Sequence, residues 1–328
     1  MFALTHSGVV KLILVKLVNM DIVSLFSGAG GLDLGLIQAG NNIVWANDVD
    51  VDAVSTYKHN ISSRIVCGDI RNIPISQIPD SDVVVGGFPC QGFSMANTRR
   101  DVNDERNVLY KFFYNVVVQK QPKFFVAENV KGILSLGGGS IVRQIVQDFE
   151  EAGYIVEIHN VNMADYGVPQ HRERVIFIGQ RRDVSSKMKF RFPQPTNSSK
   201  GILPRWVSIR EAIGDLPEAG NTEKDPNNYG SKYKFVARNF TAHRVTNPDK
   251  PSPTILARGN GKGGVCAIPH YNGERRLTIR ESAVVQTFPR DFIFIGGMGS
   301  CYRQIGNAVP VLFARMLGQE LKRLESAG

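Results

Sequence analysis

The sequence predicts an α/β fold, a doubly wound and mostly parallel sheet with a smaller loop-rich domain attached, on three observations. First, short β-rich runs alternate with helix-length amphipathic stretches from Asp21 to about Gln180, the strand–helix–strand rhythm of a parallel sheet. Second, beyond Arg182 the rhythm stops and Pro, Gly, Asn and Ser crowd the chain, as in Phe192-Pro193-Gln194-Pro195-Thr196-Asn197-Ser198, a composition of loops. Third, the net charge of +9 sits in one segment: from Arg181 to Arg276 there are 18 Lys+Arg against 8 Asp+Glu, while the rest of the chain holds 21 and 22. A concentrated basic stretch is what a polyanion-binding module needs, since each neutralised phosphate releases counterions; a solvated basic face is the other reading.

At 328 residues, 42% hydrophobic and 21% charged, the chain can bury a large core and has little room for a long disordered tail. Residues 1–20 are expected to form an extension outside the fold, because Met20 stands directly before the first strand. The apolar run Val9–Val18 is broken by Lys11 and Lys16 and is far too short to span a bilayer. With no Ala-x-Ala cleavage site beside it, a cytoplasmic location is the expectation.

Strands are predicted at Asp21–Phe26, Ile43–Ala46, Asp82–Val85, Lys123–Ala127, Tyr154–Val161 and Arg174–Ile178, with helices at Gly31–Ala39, Val51–His59, Val108–Gln119 and Ile141–Glu151. A helical pattern returns at Thr278–Val285 and closes the chain at Val309–Leu324.

The first strand runs into Phe26-Ser27-Gly28-Ala29-Gly30-Gly31-Leu32-Asp33-Leu34-Gly35, a glycine-rich turn opening a helix. Glycine lets the backbone approach a ligand closely. Asp48 follows the second strand, where a carboxylate can accept hydrogen bonds from both hydroxyls of a ribose. Dinucleotide enzymes share this pair, so it implies only a nucleoside-bearing cofactor.

Further along, Gly86-Gly87-Phe88-Pro89-Cys90-Gln91-Gly92 puts Cys90 on a loop at the carboxyl edge of the sheet, where ligands bind and a thiolate can be reached. Cys67, in Ile65-Val66-Cys67, reads instead as an inert small hydrophobe. The four cysteines form no CxxC pair and no Cys/His cluster, so neither a disulfide scaffold nor a metal site is indicated. Glu128, at the end of the next run, projects from the same edge as Cys90. In Gln170-His171-Arg172-Glu173-Arg174 the alternation of a strand points Arg172 and Arg174 one way and Glu173 the other.

Phe26–Gly35, Gly87-Phe88-Pro89-Cys90-Gln91, Glu128-Asn129-Val130, Gln170–Arg174, Arg276-Leu277-Thr278-Ile279-Arg280-Glu281 and Gln304-Ile305-Gly306-Asn307-Ala308-Val309-Pro310 together resemble the ordered motif series of the DNA cytosine-5 methyltransferases. The likeness runs from Asp21 to about Leu321. It implies the sheet of the S-adenosylmethionine-dependent methyltransferases, with a catalytic and cofactor-binding domain at 21–182, a target-recognition domain at 183–275, and a segment at 276–328 that partly returns to complete the catalytic domain.

By the same resemblance, Phe26, Gly28, Gly30, Gly31, Asp48, Asp69, Ile70, Pro89, Leu109 and Asn307 bind S-adenosylmethionine, Asp48 on the ribose and Asp69 on the adenine. Val49 departs from the pattern, since some members place a large aromatic there. Cys90 is implied to add to carbon 6 of a cytosine rotated out of the duplex, with Glu128 on ring nitrogen N3, Arg174 on the carbonyl, and Arg172 on the neighbouring phosphate and the frame of the site. The stretch Gln91–Arg106 is expected to be a mobile loop over the DNA, with Gln91, Ser94, Arg99 and Arg100 as contacts. In the recognition region Thr254 would orient the target strand, Arg258 read a guanine, and Lys262 read a guanine or hold a phosphate.

The implied protein is a monomeric modification enzyme acting on double-stranded DNA, with a restriction endonuclease as its functional counterpart. Its rivals are a transfer-RNA cytosine-5 methyltransferase, a nicotinamide-dependent oxidoreductase, which leaves Cys90, Glu128 and Asn307 idle, and a silent DNA-binding regulator.

Overall fold

The computed structural model describes residues 16–17, 19–88, 108–185, 188–231, 245–257 and 268–326. After a two-residue strand, β1 (Lys16–Leu17), seven strands build the main sheet: β2 (Asp21–Leu25), β3 (Asn42–Asp48), β4 (Ile65–Cys67), β5 (Val83–Gly86), β6 (Phe124–Val130), β7 (Tyr154–Asn162) and β8 (Glu173–Arg181). Their order is β4-β3-β2-β5-β6-β8-β7, and only β8 runs antiparallel to its neighbours. The chain works outward from β2 to β4, then crosses back to β5 on the other side of β2. That reversal opens a crevice at the carboxyl ends of β2 and β5, the place where open α/β sheets bind ligands.

Residue alternation explains why helices cover both faces. Ile22, Val83, Val85, Phe124 and Val126 point to one face and pack with Leu36 of α1 (Gly31–Gln38) and with Phe313 and Leu317 of α9 (Val311–Lys322). Val23, Leu25, Val84, Phe125 and Ala127 point to the other, against Phe113 of α3 (Val108–Lys120) and Phe149 of α4 (Ser140–Glu151). Each such side chain contributes roughly 1.5–3 kcal/mol by burial, so a one-residue slip in register, which exchanges the faces, is strongly opposed.

The remaining helices are α2 (Val51–Asn60), α5 (Arg182–Ser185), α6 (Ile209–Ile213), α7 (Ile279–Val285) and α8 (Met298–Asn307). A third core joins Ile209 and Ile213 of α6 and Ile255 and Ile268 to Ile279, Ala283, Tyr302 and Ile305 of α7 and α8. Residues on both sides of position 275 therefore share one apolar interior. No helix among the described residues is long and apolar enough to cross a membrane.

Several expectations need correction. Met20 does not lie outside the fold: it is fully buried, its carbonyl accepts Asn42 N–H at 2.9 Å, and β1 pairs with β10 (Arg323–Ser326), which pairs in turn with β9 (Met188–Lys189). Cys67 is exposed, because β4 is the edge strand and Cys67 its last residue. β6 continues through Val130, so Glu128 and Asn129 belong to the strand. Helix α8 was not anticipated, since its glycines and polar residues mask the apolar spacing of Cys301, Tyr302 and Ile305.

Candidate active site

The crevice at the strand reversal is a cleft of about 960 Å³. At its floor Phe26 and Gly28 adopt φ of +56°, and Gly28 donates its N–H to Asp48 Oδ2 at 2.7 Å, while Asp48 Oδ1 accepts Asp50 N–H at 2.8 Å. Asp48 therefore fixes the turn as well as lining the cleft. Burial raises its pKa, with those two backbone donors opposing. Asp69, Ile70, Leu109, Gly31 and Asn307 line the same cleft. Arg71 already engages the Asp69 carboxylate.

Gly30 faces elsewhere. A Cβ there would lie 2.3 Å from Ile61 and 2.8 Å from Tyr57, so this glycine lets the turn pack on α2 and does not line the cleft. Beneath the turn lies Asp33, fully buried, accepting Ser24 Oγ–H at 2.7 Å and Tyr57 O–H at 2.8 Å; burial raises its pKa to about 6. Two carboxylates at successive strand ends, an open backbone turn between them and apolar walls from Phe26, Ile70 and Leu109 suit a cationic nucleoside such as S-adenosylmethionine.

At the other end of the cleft, Glu128 Oε1 stands 2.7 Å from Arg174 Nε, both side chains 12% exposed. The N–H does not point at the oxygen, so this is a charge contact rather than an aligned hydrogen bond. Both atoms are buried and neither has a hydrogen-bond partner. A Cβ at Gly87 would lie 3.3 Å from Glu128 Oε2, and Asn129 donates from Nδ2 to the Phe88 carbonyl at 3.1 Å. The strand that leads toward Cys90 is thus pinned against the carboxylate.

Arg172 behaves differently from its neighbour two positions on. It is 1% exposed and spends its guanidinium on the carbonyls of Ile255 (3.1 Å), Gly306 (2.9 Å) and Ala308 (3.0 Å). The expected phosphate contact is corrected: Arg172 cannot reach solvent, and it frames the site instead. Burial, with Arg174 nearby, pulls its pKa down to about 9, still charged at neutral pH. Gln170 and Gln286 extend this hub. Gln170 accepts Ile255 N–H and donates to Gln286, which donates to the carbonyls of Ile305 and Ala308. Neither glutamine was picked out from sequence, nor was Asn129; their partners lie far along the chain.

Thr254 sits beside the cleft and donates its hydroxyl to the His171 carbonyl. Pro89, Cys90, Gln91, Ser94, Arg99, Arg100, Arg258 and Lys262, and with them the expected mobile loop, lie outside the described residues. Among the described residues no group of three or more His, Cys, Asp or Glu could hold a metal ion.

Comparison with known proteins supplies the family. The chain is 40% identical over 316 residues to the Type II methyltransferase M.NgoFVII of Neisseria gonorrhoeae, covering 88% of this chain and 83% of that protein. It is 37% identical to M.MthTI of Methanothermobacter thermautotrophicus, covering 93% and 98%. Among solved structures, a prophage-encoded protein of Escherichia coli described as a DNA modification methyltransferase superposes with a TM-score of 0.73 at 26% identity, covering 92% and 98%. Spodoptera frugiperda DNMT2 shares the fold, with a TM-score of 0.65 at 20% identity, covering 92% and 99%. The model of the C-5 cytosine-specific DNA methylases matches residues 20–323, and the chain belongs to that family, as an enzyme that methylates cytosine in DNA with S-adenosylmethionine.

Proposed function

We propose that this enzyme methylates one cytosine within a short double-stranded sequence, by rotating the base into the cleft and bonding it transiently to Cys90. The observation that carries the proposal is the Glu128–Arg174 pair. It sets a carboxyl group and a guanidinium side by side in a cleft whose other end suits the cofactor. Cytosine presents two acceptors, the carbonyl O2 and ring N3, along one edge, so Arg174 can donate to O2 while a protonated Glu128 donates to N3. A base inside a duplex cannot be gripped that way.

S-adenosylmethionine supplies an electrophilic methyl group; the chain must make carbon 5 nucleophilic. The Cys90 thiolate forms a bond to carbon 6 as N3 takes a proton from Glu128, which places electron density on carbon 5. After carbon 5 has gained the methyl group, loss of its proton to a base restores the 5,6 double bond and expels the Cys90 thiolate, and N3 returns its proton to Glu128. Arg172 acts by holding Ile255 and the Gly306–Ala308 return around the pocket. The basic stretch 183–275 is the target-recognition region in this reading, with Thr254, Arg258 and Lys262 toward DNA and the loop carrying Gln91, Ser94, Arg99 and Arg100 facing the gap left by the base. A restriction endonuclease counterpart and action as a monomer belong to the same reading.

The test is methyl transfer to duplex DNA and to transfer RNA by wild type and Cys90→Ala, with mapping of modified positions. Wild type should label one cytosine context in duplex DNA, Cys90→Ala should be slower by at least roughly a thousandfold, and a duplex carrying 5-fluorocytosine there should become covalently trapped, since carbon 5 has no proton to lose. Normal labelling by Cys90→Ala would overturn the covalent step, and preference for transfer RNA would overturn the substrate.

A further inference from the structure

Among the described residues, the acids lining the cleft are Asp33, Asp48, Asp50, Asp69 and Glu128. Three of them are met by an arginine: Asp69 by Arg71, Glu128 by Arg174 and Asp50 by Arg303. Asp33 spends its two oxygens on the hydroxyls of Ser24 and Tyr57. Asp48 stands apart: it accepts backbone N–H groups from Gly28 and Asp50, and no cation among the described residues pairs with it. That arrangement suits a diol. Ribose hydroxyls are neutral donors and would lose a competition with a guanidinium seated on the same oxygens. The carboxylate still needs positive charge nearby, because burial raises the Asp48 pKa and the Asp50 charge adds to the rise, against the N–H groups of Asp50 and Gly28.

Arg303 meets that need from one step away. Asp50 is the cap of α2: its Oδ1 accepts Asp52 and Ala53 N–H at 3.0 and 3.3 Å, and its own N–H goes to Asp48 Oδ1 at 2.8 Å. Its Oδ2 is left for Arg303, which reaches across from α8 with Nη2 at 2.8 Å and Nε at 3.2 Å and also donates to Ser300 Oγ. Burial opposes the Asp50 charge, but Arg303 and the cap outweigh it, and the Asp50 pKa lies below the ordinary value. Arg303 and Asp50 are 46% and 29% exposed, so the pair adds little to stability. Docking of the C-terminal segment does not depend on it either. Asn60 exchanges two hydrogen bonds with the Ile293 backbone, and Thr56 Oγ1 accepts Ile295 N–H, all at 2.8 Å.

We propose that Arg303 is a positioning residue for the cofactor: by balancing the Asp50 charge it leaves Asp48 a bare carboxylate for the ribose hydroxyls. The assignment rests on Asp48 taking the ribose. Removing the Arg303 charge makes Asp48 harder to ionise; removing the Asp50 charge as well undoes that, since the net charge beside Asp48 is then that of wild type. The other charged groups around Asp48 are Asp33 beneath the turn, Asp52 on α2 and the Asp69–Arg71 pair in the same cleft, and these are common to every variant.

The full chain is titrated with S-adenosylhomocysteine between pH 8 and 5 as wild type, Arg303→Gln, Arg303→Lys, Asp50→Asn, and Asp50→Asn combined with Arg303→Gln. Asparagine keeps the helix cap, and a cooperative urea transition checks each fold. Over that range Arg303→Gln should lose roughly threefold more affinity than wild type. Arg303→Lys and the double variant should follow wild type, and Asp50→Asn should lose less than wild type. If Arg303→Gln does not fold, Asp50→Asn carries the comparison in the opposite direction. A loss in Arg303→Gln that is equal at every pH, or that the second substitution does not undo, would overturn the proposal. An analogue of S-adenosylhomocysteine lacking both ribose hydroxyls should bind more weakly to wild type and show no difference among the variants. Should wild type bind that analogue as tightly as S-adenosylhomocysteine, it is the placement of the ribose on Asp48 that fails.

Discussion

Asp33 stands under the cofactor turn with both carboxylate oxygens engaged, one by Ser24 and one by Tyr57, and no access to water. Burial raises its pKa from 3.8 to about 6, with the nearby Asp48 charge adding to the shift. A raised folded-state pKa favours the protonated carboxyl, so its stabilisation is fully present below about pH 4 and lost as pH rises through about 6. Between pH 5 and 7.5 the loss is about 1.4 kcal/mol. Urea denaturation of wild type and Asp33→Asn at those two pH values should differ by that amount, wild type being the steeper. Equal pH dependence in both would show that Asp33 titrates as an ordinary carboxyl.

Three separated elements meet at Arg172: the start of β8, the extended stretch at Thr254–Ile255, and the turn from α8 into α9. Arg174, two residues on, touches one carboxylate in the cleft and the adjacent Glu173 carbonyl. Substituting each by glutamine should separate framing from chemistry. Arg172→Gln leaves buried carbonyls without donors and should lose about 3 kcal/mol or more of stability. Arg174→Gln, which leaves one carboxylate rather than three carbonyls without a donor, should lose less stability than Arg172→Gln while single-turnover methylation drops by roughly a hundredfold or more. Similar stability losses in the two proteins would overturn this division. The strand pattern did show the two arginines sharing a direction, but not that one of them ends under a lid of backbone carbonyls.

Across the whole molecule, the basic excess of 183–275 lies next to an almost neutral catalytic sheet. If that region lies along DNA and neutralises six or more phosphates, affinity should fall by roughly a thousandfold between 50 and 200 mM salt. A fall of less than tenfold in a binding titration would place the charge elsewhere. Much of the architecture was legible because alternation and helical spacing are local: Ile22 and Val23 declare opposite faces within two residues, and Gly28 with Asp48 announces a nucleoside turn. Gly30 was misjudged because sequence cannot say which side of a turn a missing Cβ faces. Asn129 and Gln170 stood in the motifs without a role, and Gln286 was not recognised, since what a polar side chain does for a distant backbone carries no local signature. Arg172 and Gly306 are 134 positions apart. The sequence by itself determined the layered α/β architecture, the family and the general chemistry that the family performs. Only the tertiary structure decided which arginine faces the cleft and how the C-terminal return closes around Arg172, because each depends on a partner brought close by the fold rather than by the chain.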